Sequence, residues 1–130
     1  MHQVVKMEAT LYERLGGYNG ISAVVDSVFE RLLSDPRFTK YFGSRLSEDS
    51  RNRLRQLQKL MVCQATGGPC FYLGRDMKTV HKGMGIDDAD WQAFVVHMKG
   101  VLNSFKVPDA DQKAVLEILN GAKNDIVEKT

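Results

Sequence analysis

The sequence predicts an all-α protein of one domain, either a helical bundle or a fold of crossed helices. Apolar residues recur at intervals of three and four along most of the chain, and no alternating run is long enough for a convincing strand. Glycine and proline interrupt this pattern at several points, which divides it into helices joined by tight connections. The 130 residues fit one domain that can bury its own core. We expect residues 1–9 to be a flexible extension and residues 10–130 to form the domain.

The first half of the chain contains three helical segments before a long fourth one. A short turn over residues 10–15 ends at a glycine pair, and Asn19 is placed to cap the second helix. The apolar stripe of that helix is Ile21, Val24, Val25, Val28, Leu32 and Leu33. Pro36 suits the first turn of a brief third helix that ends near Phe42. We expect a loop over 43–46, after which Ser47 caps a long helix to about Ala65.

The second half begins with a firm break, because a Thr-Gly-Gly-Pro sequence at 66–69 cannot continue the long helix. Residues 70–74 are irregular, and a short helix is predicted from about residue 75 to residue 82. Asp87 and Asp90 have capping spacing for a helix through Phe105, and a last helix follows Val107-Pro108. The inner faces of these two helices are expected to be Trp91, Phe94 or Val95, Met98, Leu102 and Phe105, and then Val115, Ile118, Leu119, Ala122 and Ile126.

Composition excludes several classes of function. The 18 basic and 16 acidic residues give a net charge of +2, which is too balanced for a nucleic-acid or anionic-membrane partner. No apolar run approaches the roughly 18 residues of a membrane span, and the first nine residues lack the apolar stretch of a signal peptide. We therefore expect a cytoplasmic protein. Without an export signal, Cys63 and Cys70 are expected to be reduced thiols, and a disulfide is the less favoured alternative.

One polar residue lies within the apolar stripe of the long helix. That stripe consists of Leu54, Leu57, Met61, Val62 and Ala65, and Gln58 occupies a position inside it. A buried amide costs roughly 1–3 kcal/mol unless its hydrogen bonds are made. Gln58 therefore either meets a backbone group, a water or a ligand on the inner side, or lies at the edge of the stripe and reaches solvent.

His81 is the second residue of interest. Met77 lies one turn before it and Met84 just after it, so His81 lies on an apolar face of the short helix. His2 lies in the extension, and His97 falls in the middle of its helix, off the main apolar face, where we expect a surface or boundary residue. The cysteines and His81 do not have the spacing of a four-coordinate zinc site. A single axial histidine is sufficient for haem, because the porphyrin supplies four nitrogens. The alternative is a histidine that only packs in the core.

Several motifs occur in order along the chain. They are Leu11-Tyr12-Glu13-Arg14-Leu15-Gly16-Gly17, Phe29-Glu30-Arg31-Leu32-Leu33-Ser34-Asp35-Pro36, Tyr41-Phe42, Gly67-Gly68-Pro69, Tyr72-Leu73-Gly74 and Met77-Lys78-Thr79-Val80-His81-Lys82-Gly83-Met84-Gly85-Ile86. With this order and spacing, the sequence resembles the truncated haemoglobins, the two-over-two globin family, and group 1 most. The resemblance implies a two-over-two helical sandwich enclosing haem b, Fe-protoporphyrin IX.

The resemblance also implies a role for each matching residue. His81 matches the proximal histidine that binds iron, and Phe42 matches a phenylalanine on the haem face. Leu54, Leu57 and Gln58 match distal positions, with Met61 and Val62 extending that wall. Tyr72 and Lys78 match positions near the propionates. The rest of the pocket would be Met77, Met84, Ile86, Phe94, Val115 and Leu119. Where the family usually has a distal tyrosine, this chain has Phe29, so the distal ligand pocket would consist of Phe29, Leu54 and Gln58.

Three functions follow as alternatives. The first is reversible binding of O₂, CO and NO at the His-ligated iron. The second is conversion of NO to nitrate by bound O₂, which needs an external reductase because the chain contains no flavin or nicotinamide domain of its own. The third is a helical interaction module whose pocket residues are only core, which the resemblance makes the least favoured.

Overall fold

A computed structural model describes residues 9–42 and 46–129. The helices in this part of the chain are α1 (Leu11–Arg14), α2 (Gly17–Ser34), α3 (Pro36–Phe42), α4 (Glu48–Ala65), α5 (Met77–His81), α6 (Asp88–Ser104) and α7 (Asp109–Ile126). No strand occurs in these ranges, where the one bridge of β type joins Asp87 to Lys129. The predicted all-α class is therefore confirmed. Most of the predicted extension over 1–9 and of the predicted loop over 43–46 lies outside the described residues.

Side-chain caps start several helices at the positions that the sequence predicts. The Ser47 hydroxyl accepts a hydrogen bond from the Ser50 amide at 3.1 Å, which fixes the first turn of α4. Asp87 and Asp90 form a reciprocal capping box at the start of α6. These caps satisfy amide groups that have no partner within the helix, so each helix begins at a defined residue.

Four local predictions are wrong. Asn19 does not cap α2, because Gly16 turns the chain in a left-handed conformation (φ 95°) and the helix begins at Gly17. The short helix α5 spans only Met77–His81, because the Asp76 side chain caps it and Gly83 (φ 85°) turns the chain after it. Phe105 is 46% exposed instead of lying on the inner face of α6, because it follows the last helical residue, where the chain turns away. Ile118 is 37% exposed instead of lying on the inner face of α7, because the inward face of that helix follows Val115 and Leu119 and Ile118 lies at its edge.

The four long helices form two pairs, α2 with α4 and α6 with α7, and α2 also packs on α6. Of the short helices, α3 packs on α2 and α5 packs on α7. One core cluster joins α2 to α3, α6 and α7, and consists of Val28, Leu32, Phe38, Met98, Val101, Leu102 and Val115. A second cluster on α2 is Ile21, Val25 and Phe29, against which residues of α1 and α4 pack. Helix α2 thus contributes side chains to both clusters and holds the two pairs together.

The two cysteines are joined, so the expectation of reduced thiols is wrong for this structure. Cys63, near the end of α4, is bonded to Cys70 with 5.8 Å between their Cα atoms. The turn between them brings the chain back on itself, and the Gly68 amide donates a hydrogen bond to the Cys63 carbonyl at 2.8 Å. A Cβ at Gly68 would lie 2.6 Å from the Cys63 sulfur, so only glycine fits there. The seven-residue spacing of the cysteines does not by itself predict that the turn brings them into bonding distance.

None of the described helices is both long enough and apolar enough to cross a membrane.

Candidate functional site

A cavity of about 380 Å³ lies between the two pairs of helices, within the range of small-molecule and cofactor sites. Its wall is mainly apolar and takes residues from α2 to α7 and from the connections between them. The lining residues are Val25, Val28, Phe29, Leu32, Phe38, Tyr41, Phe42, Leu46, Leu54, Gln58, Val62, Val80, His81, Met84, Ile86, Asp90, Trp91, Phe94, Met98, Leu119 and Ile126.

His81 is the last residue of α5 and lines this cavity. Its Nδ1 atom lies 2.8 Å from the carbonyl oxygen of Met77, one turn earlier in the same helix. A carbonyl oxygen only accepts, so Nδ1 carries a hydrogen and donates the hydrogen bond. In the neutral imidazole, Nε2, which has no hydrogen bond within the described chain, is then the nitrogen with the lone pair. A carbonyl partner on Nδ1 is the usual arrangement for a histidine that binds a metal through Nε2.

Gln58 comes from α4 and lines the same cavity. Its amide makes no hydrogen bond with any other residue in the described ranges, although the side chain is half-buried. An amide without a protein partner in an apolar wall has one donor group and one acceptor group available to a ligand. The structure therefore brings the polar residue of the α4 stripe and the histidine of α5 to one cavity.

The wall beside Gln58 is apolar. Phe29 is buried on α2, and its ring packs against Phe42 with 5.7 Å between the ring centroids. Both rings line the cavity, as does Leu54 on α4. Phe29 has no hydroxyl, so the predicted distal pocket of Phe29, Leu54 and Gln58 contains one side chain able to form hydrogen bonds.

A buried polar cluster, not predicted from the sequence as part of a site, forms another part of the wall. The Asp90 carboxylate, 2% exposed, accepts hydrogen bonds from the Tyr41 hydroxyl at 2.8 Å and from Arg37 at 3.1 Å. Burial raises the pKa of Asp90, but the hydrogen bonds from Tyr41, the Asp87 amide and Arg37 outweigh it and hold that pKa below its ordinary value. Burial and the same hydrogen bond raise the pKa of Tyr41 to about 12.

The sequence carried a partial signal for this cluster. The capping spacing predicts the contact of Asp90 with Asp87, but its other partner, Tyr41, lies on α3, 49 positions away in the chain. The apolar lining residues that were not predicted as site residues belong mostly to the predicted inner faces of helices. Sequence periodicity assigns these residues to the core, because an apolar stripe has the same spacing whether it faces another helix or a cavity.

Of the site residues that the family resemblance implied, ten line the cavity: Phe29, Phe42, Leu54, Gln58, Val62, His81, Met84, Ile86, Phe94 and Leu119. Six do not line it: Leu57, Met61, Tyr72, Met77, Lys78 and Val115. Val115 is buried in the core cluster, and Lys78 is exposed. The Tyr72 hydroxyl donates to the Arg75 carbonyl at 2.6 Å, and burial raises its pKa. Met77 contributes to the site indirectly, through the carbonyl that holds His81.

These residues fit a haem group. The wall is apolar enough for a macrocycle, the histidine has its Nδ1 fixed and its Nε2 available for iron, and Gln58 offers one polar group for a small ligand. No other metal-binding side chain is needed from the protein, since a porphyrin supplies the remaining four nitrogens.

Comparisons with known proteins agree with this fit. A family model for bacterial-like globins matches residues 10–128. A group 1 truncated haemoglobin of Mycolicibacterium paratuberculosis is 32% identical over 85% of this chain and 76% of its own length. One of Tetrahymena pyriformis is 28% identical over 92% of this chain and 96% of its own. The crystal structure of a T. pyriformis truncated haemoglobin in the Fe(III) form superposes with a TM-score of 0.82 at 26% identity, covering 92% of this chain and 98% of that one. The chain therefore belongs to the bacterial-like globin family and, within it, to the truncated haemoglobins with the two-over-two fold.

Proposed function

We propose that this chain binds haem b in the cavity with His81 as the axial ligand of the iron, and that it binds O₂, CO and NO there reversibly. The observation that carries the proposal is the hydrogen bond from His81 Nδ1 to the Met77 carbonyl, which leaves Nε2 available. Haem, when bound, supplies an iron with one axial position open to a diatomic gas.

His81 would hold the cofactor, and the Met77 carbonyl that accepts its hydrogen bond would strengthen this ligation. The hydrogen bond to Met77 fixes the tautomer and orients the ring, and it raises the basicity of Nε2. Because Met77 lies one turn before His81 in the same helix, the donor and acceptor keep their geometry whenever α5 is formed. The ring is thus prepared for ligation before any cofactor enters.

Gln58 discriminates between ligands. Its amide N–H can donate to a ligand that carries partial negative charge, as bound O₂ does, whereas CO gains little. A hydrogen bond to a charge-bearing acceptor in a dry pocket contributes about 1.5–3 kcal/mol, roughly tenfold to hundredfold in a dissociation rate. Phe29 contributes no second donor, so we expect faster O₂ release than in relatives with tyrosine at this position.

The apolar residues of the wall supply the remaining binding energy and limit access of water. Phe42, Leu54, Val62, Met84, Ile86, Phe94 and Leu119 would contact the macrocycle. Leu57 and Met61 are proposed to extend the distal side along α4, and Val115 to back the rest of the pocket from the core cluster. Tyr72 and Lys78 are proposed near the propionates, where a phenol and an ammonium suit carboxylates. Excluding water strengthens each polar interaction inside the cavity, including that of Gln58.

The test is a visible absorption spectrum of the haem-loaded protein in its ferric, dithionite-reduced and CO-bound forms, for wild type and His81→Gly. We expect a five-coordinate ferrous band that shifts sharply with CO, is altered in His81→Gly and returns when imidazole is added. His97→Gln is the matched control, because it removes a histidine that does not line the cavity. Identical spectra of loosely adsorbed haem in all three proteins would overturn the proposal.

The alternative function, conversion of NO to nitrate, uses the same cavity and adds a turnover requirement. Steady consumption of NO by the oxygenated protein together with an external reductase would support it. Consumption that stops after one equivalent would support gas binding alone.

A further inference from the structure

The chain segment that follows His81 is a weak point in the site. Helix α5 has only five residues, too few for a helix to be stable on its own. Gly83 and Gly85, directly after it, both adopt left-handed conformations with φ of 85° and 71°. Glycine adopts a left-handed conformation at no steric cost, but it adopts other backbone conformations as readily, so glycine alone does not fix the turn. Something outside this turn must hold it if His81 is to keep a fixed position.

Glu128, on the segment after α7, contacts this turn directly. One carboxylate oxygen accepts a hydrogen bond from the Gly85 amide at 2.9 Å, and the other accepts one from the Gly83 amide at 3.1 Å. These two bonds hold the pKa of Glu128 below its ordinary value. A carboxylate that receives two backbone amides binds them more strongly than a neutral acceptor does.

The backbone beside Glu128 strengthens the same contact. The Glu128 amide donates to the Ile86 carbonyl at 2.8 Å, and the Asp88 amide donates to the Lys129 carbonyl at 3.0 Å. Asp76 holds the other end of α5, because its side chain accepts from the Thr79 amide at 3.1 Å. His81 therefore lies between two carboxylates, Asp76 before it and Glu128 after it, that each bind backbone amides.

We propose that Glu128 is a positioning residue for His81: it fixes the 83–85 turn and thereby sets the orientation of the imidazole toward the cavity. This inference rests on the proposed function, in which His81 binds the iron. If Glu128 only stabilised the segment after α7, its loss would lower the melting temperature without changing the bond between His81 and the iron.

The test compares Glu128→Ala and Glu128→Gln with wild type. Glu117→Ala is the matched control, since it removes an exposed carboxylate from α7 that has no partner among the described residues. The first readout is amide hydrogen exchange at Gly83 and Gly85 in the full chain before haem is added. The second is the iron–histidine stretching band of the haem-loaded ferrous protein in resonance Raman.

In Glu128→Ala we expect exchange at Gly83 and Gly85 to accelerate by about tenfold, and the iron–histidine band to shift or broaden. Glu128→Gln keeps one acceptor oxygen and is expected to be intermediate, and Glu117→Ala is expected to match wild type. An unchanged band in Glu128→Ala, even with a lower melting temperature, would overturn this inference and leave the proposed function standing. Absence of the band from wild type would overturn both.

Discussion

The Tyr41 hydroxyl donates a 2.8 Å hydrogen bond to the buried carboxylate of Asp90, and this contact joins α3 to α6 at the wall of the cavity. Arg37 completes the cluster from the solvent side, with its Nη1 atom 3.1 Å from the other carboxylate oxygen. A buried carboxylate is tolerated only when its hydrogen bonds are made, and here three donors make them. The cluster therefore couples the position of α3, which carries Phe42, to the start of α6.

This cluster predicts a pH-dependent stability. The pKa of Asp90 is lower in the folded chain than its ordinary value. The ionised carboxylate therefore adds to the free energy of unfolding above its ordinary pKa, and this stabilisation is lost as the pH falls below about 4. Asp90→Asn is expected to lower the free energy of unfolding by about 2 kcal/mol at pH 7. The difference from wild type should shrink in acid. Urea denaturation at several pH values measures it.

Asp88→Asn is the control for that experiment, because Asp88 lies in the same first turn of α6 and makes a partly exposed ion pair with Lys123. A pair that water can reach contributes about 0–1 kcal/mol, so this variant should stay close to wild type. A loss in Asp90→Asn that is equally large at acid and neutral pH would contradict the assignment.

Local features of this fold could be predicted from sequence, whereas features that join distant segments could not. Ser47 and the Asp87–Asp90 pair were predicted as caps because a cap needs only residues three positions apart. The bond between Cys63 and Cys70 was not favoured, because that expectation rested on the missing export signal, whereas the bond depends on a turn that brings the two Cα atoms to 5.8 Å. Phe105 was assigned to an inner face by periodicity, which does not show where a helix ends.

The site shows the same division. Gln58 and His81 stood out because each interrupts an apolar pattern on its own helix, and the structure places both at one cavity. The partner of Asp90 and the contact of Glu128 with the 83–85 turn could not be predicted, because in each the two segments are more than 40 positions apart. The resemblance implied six site residues that do not line the cavity; among them, Val115 packs in the core cluster, the Tyr72 hydroxyl donates to the Arg75 carbonyl, and Lys78 is exposed.

Gln58→Leu is expected to raise the O₂ dissociation rate by about tenfold to hundredfold, because the amide donor is lost beside the apolar side chains of Phe29 and Leu54. The CO dissociation rate should change little. Stopped-flow or flash-photolysis measurements on the haem-loaded protein check both rates. Gln56→Leu is the matched control on the exposed face of α4, where the amide oxygen accepts a hydrogen bond from the Tyr18 hydroxyl at 3.3 Å. An O₂ rate that stays at the wild-type value in Gln58→Leu would refute this role.

Phe29→Tyr is expected to act in the opposite direction. It adds a phenol at a buried position of the cavity wall beside Phe42. A second donor should slow O₂ release by about tenfold, again with little effect on CO. Phe38→Tyr serves as the control, because it adds the same hydroxyl to another buried lining residue that packs against His97. Equal slowing in both variants would show that the effect is not specific to the Phe29 position.

The disulfide predicts a stability that depends on reductant. The bond between Cys63 and Cys70 closes a short loop, for which chain entropy gives a stabilisation of about 2–3 kcal/mol. Dithiothreitol should therefore lower the urea midpoint of wild type toward that of a variant with both cysteines replaced by alanine. The double variant itself should be insensitive to dithiothreitol, which separates loss of the bond from any general effect of the reagent. A wild-type midpoint that does not move on reduction would mean that the cross-link adds nothing to the turn that Gly68 already forms.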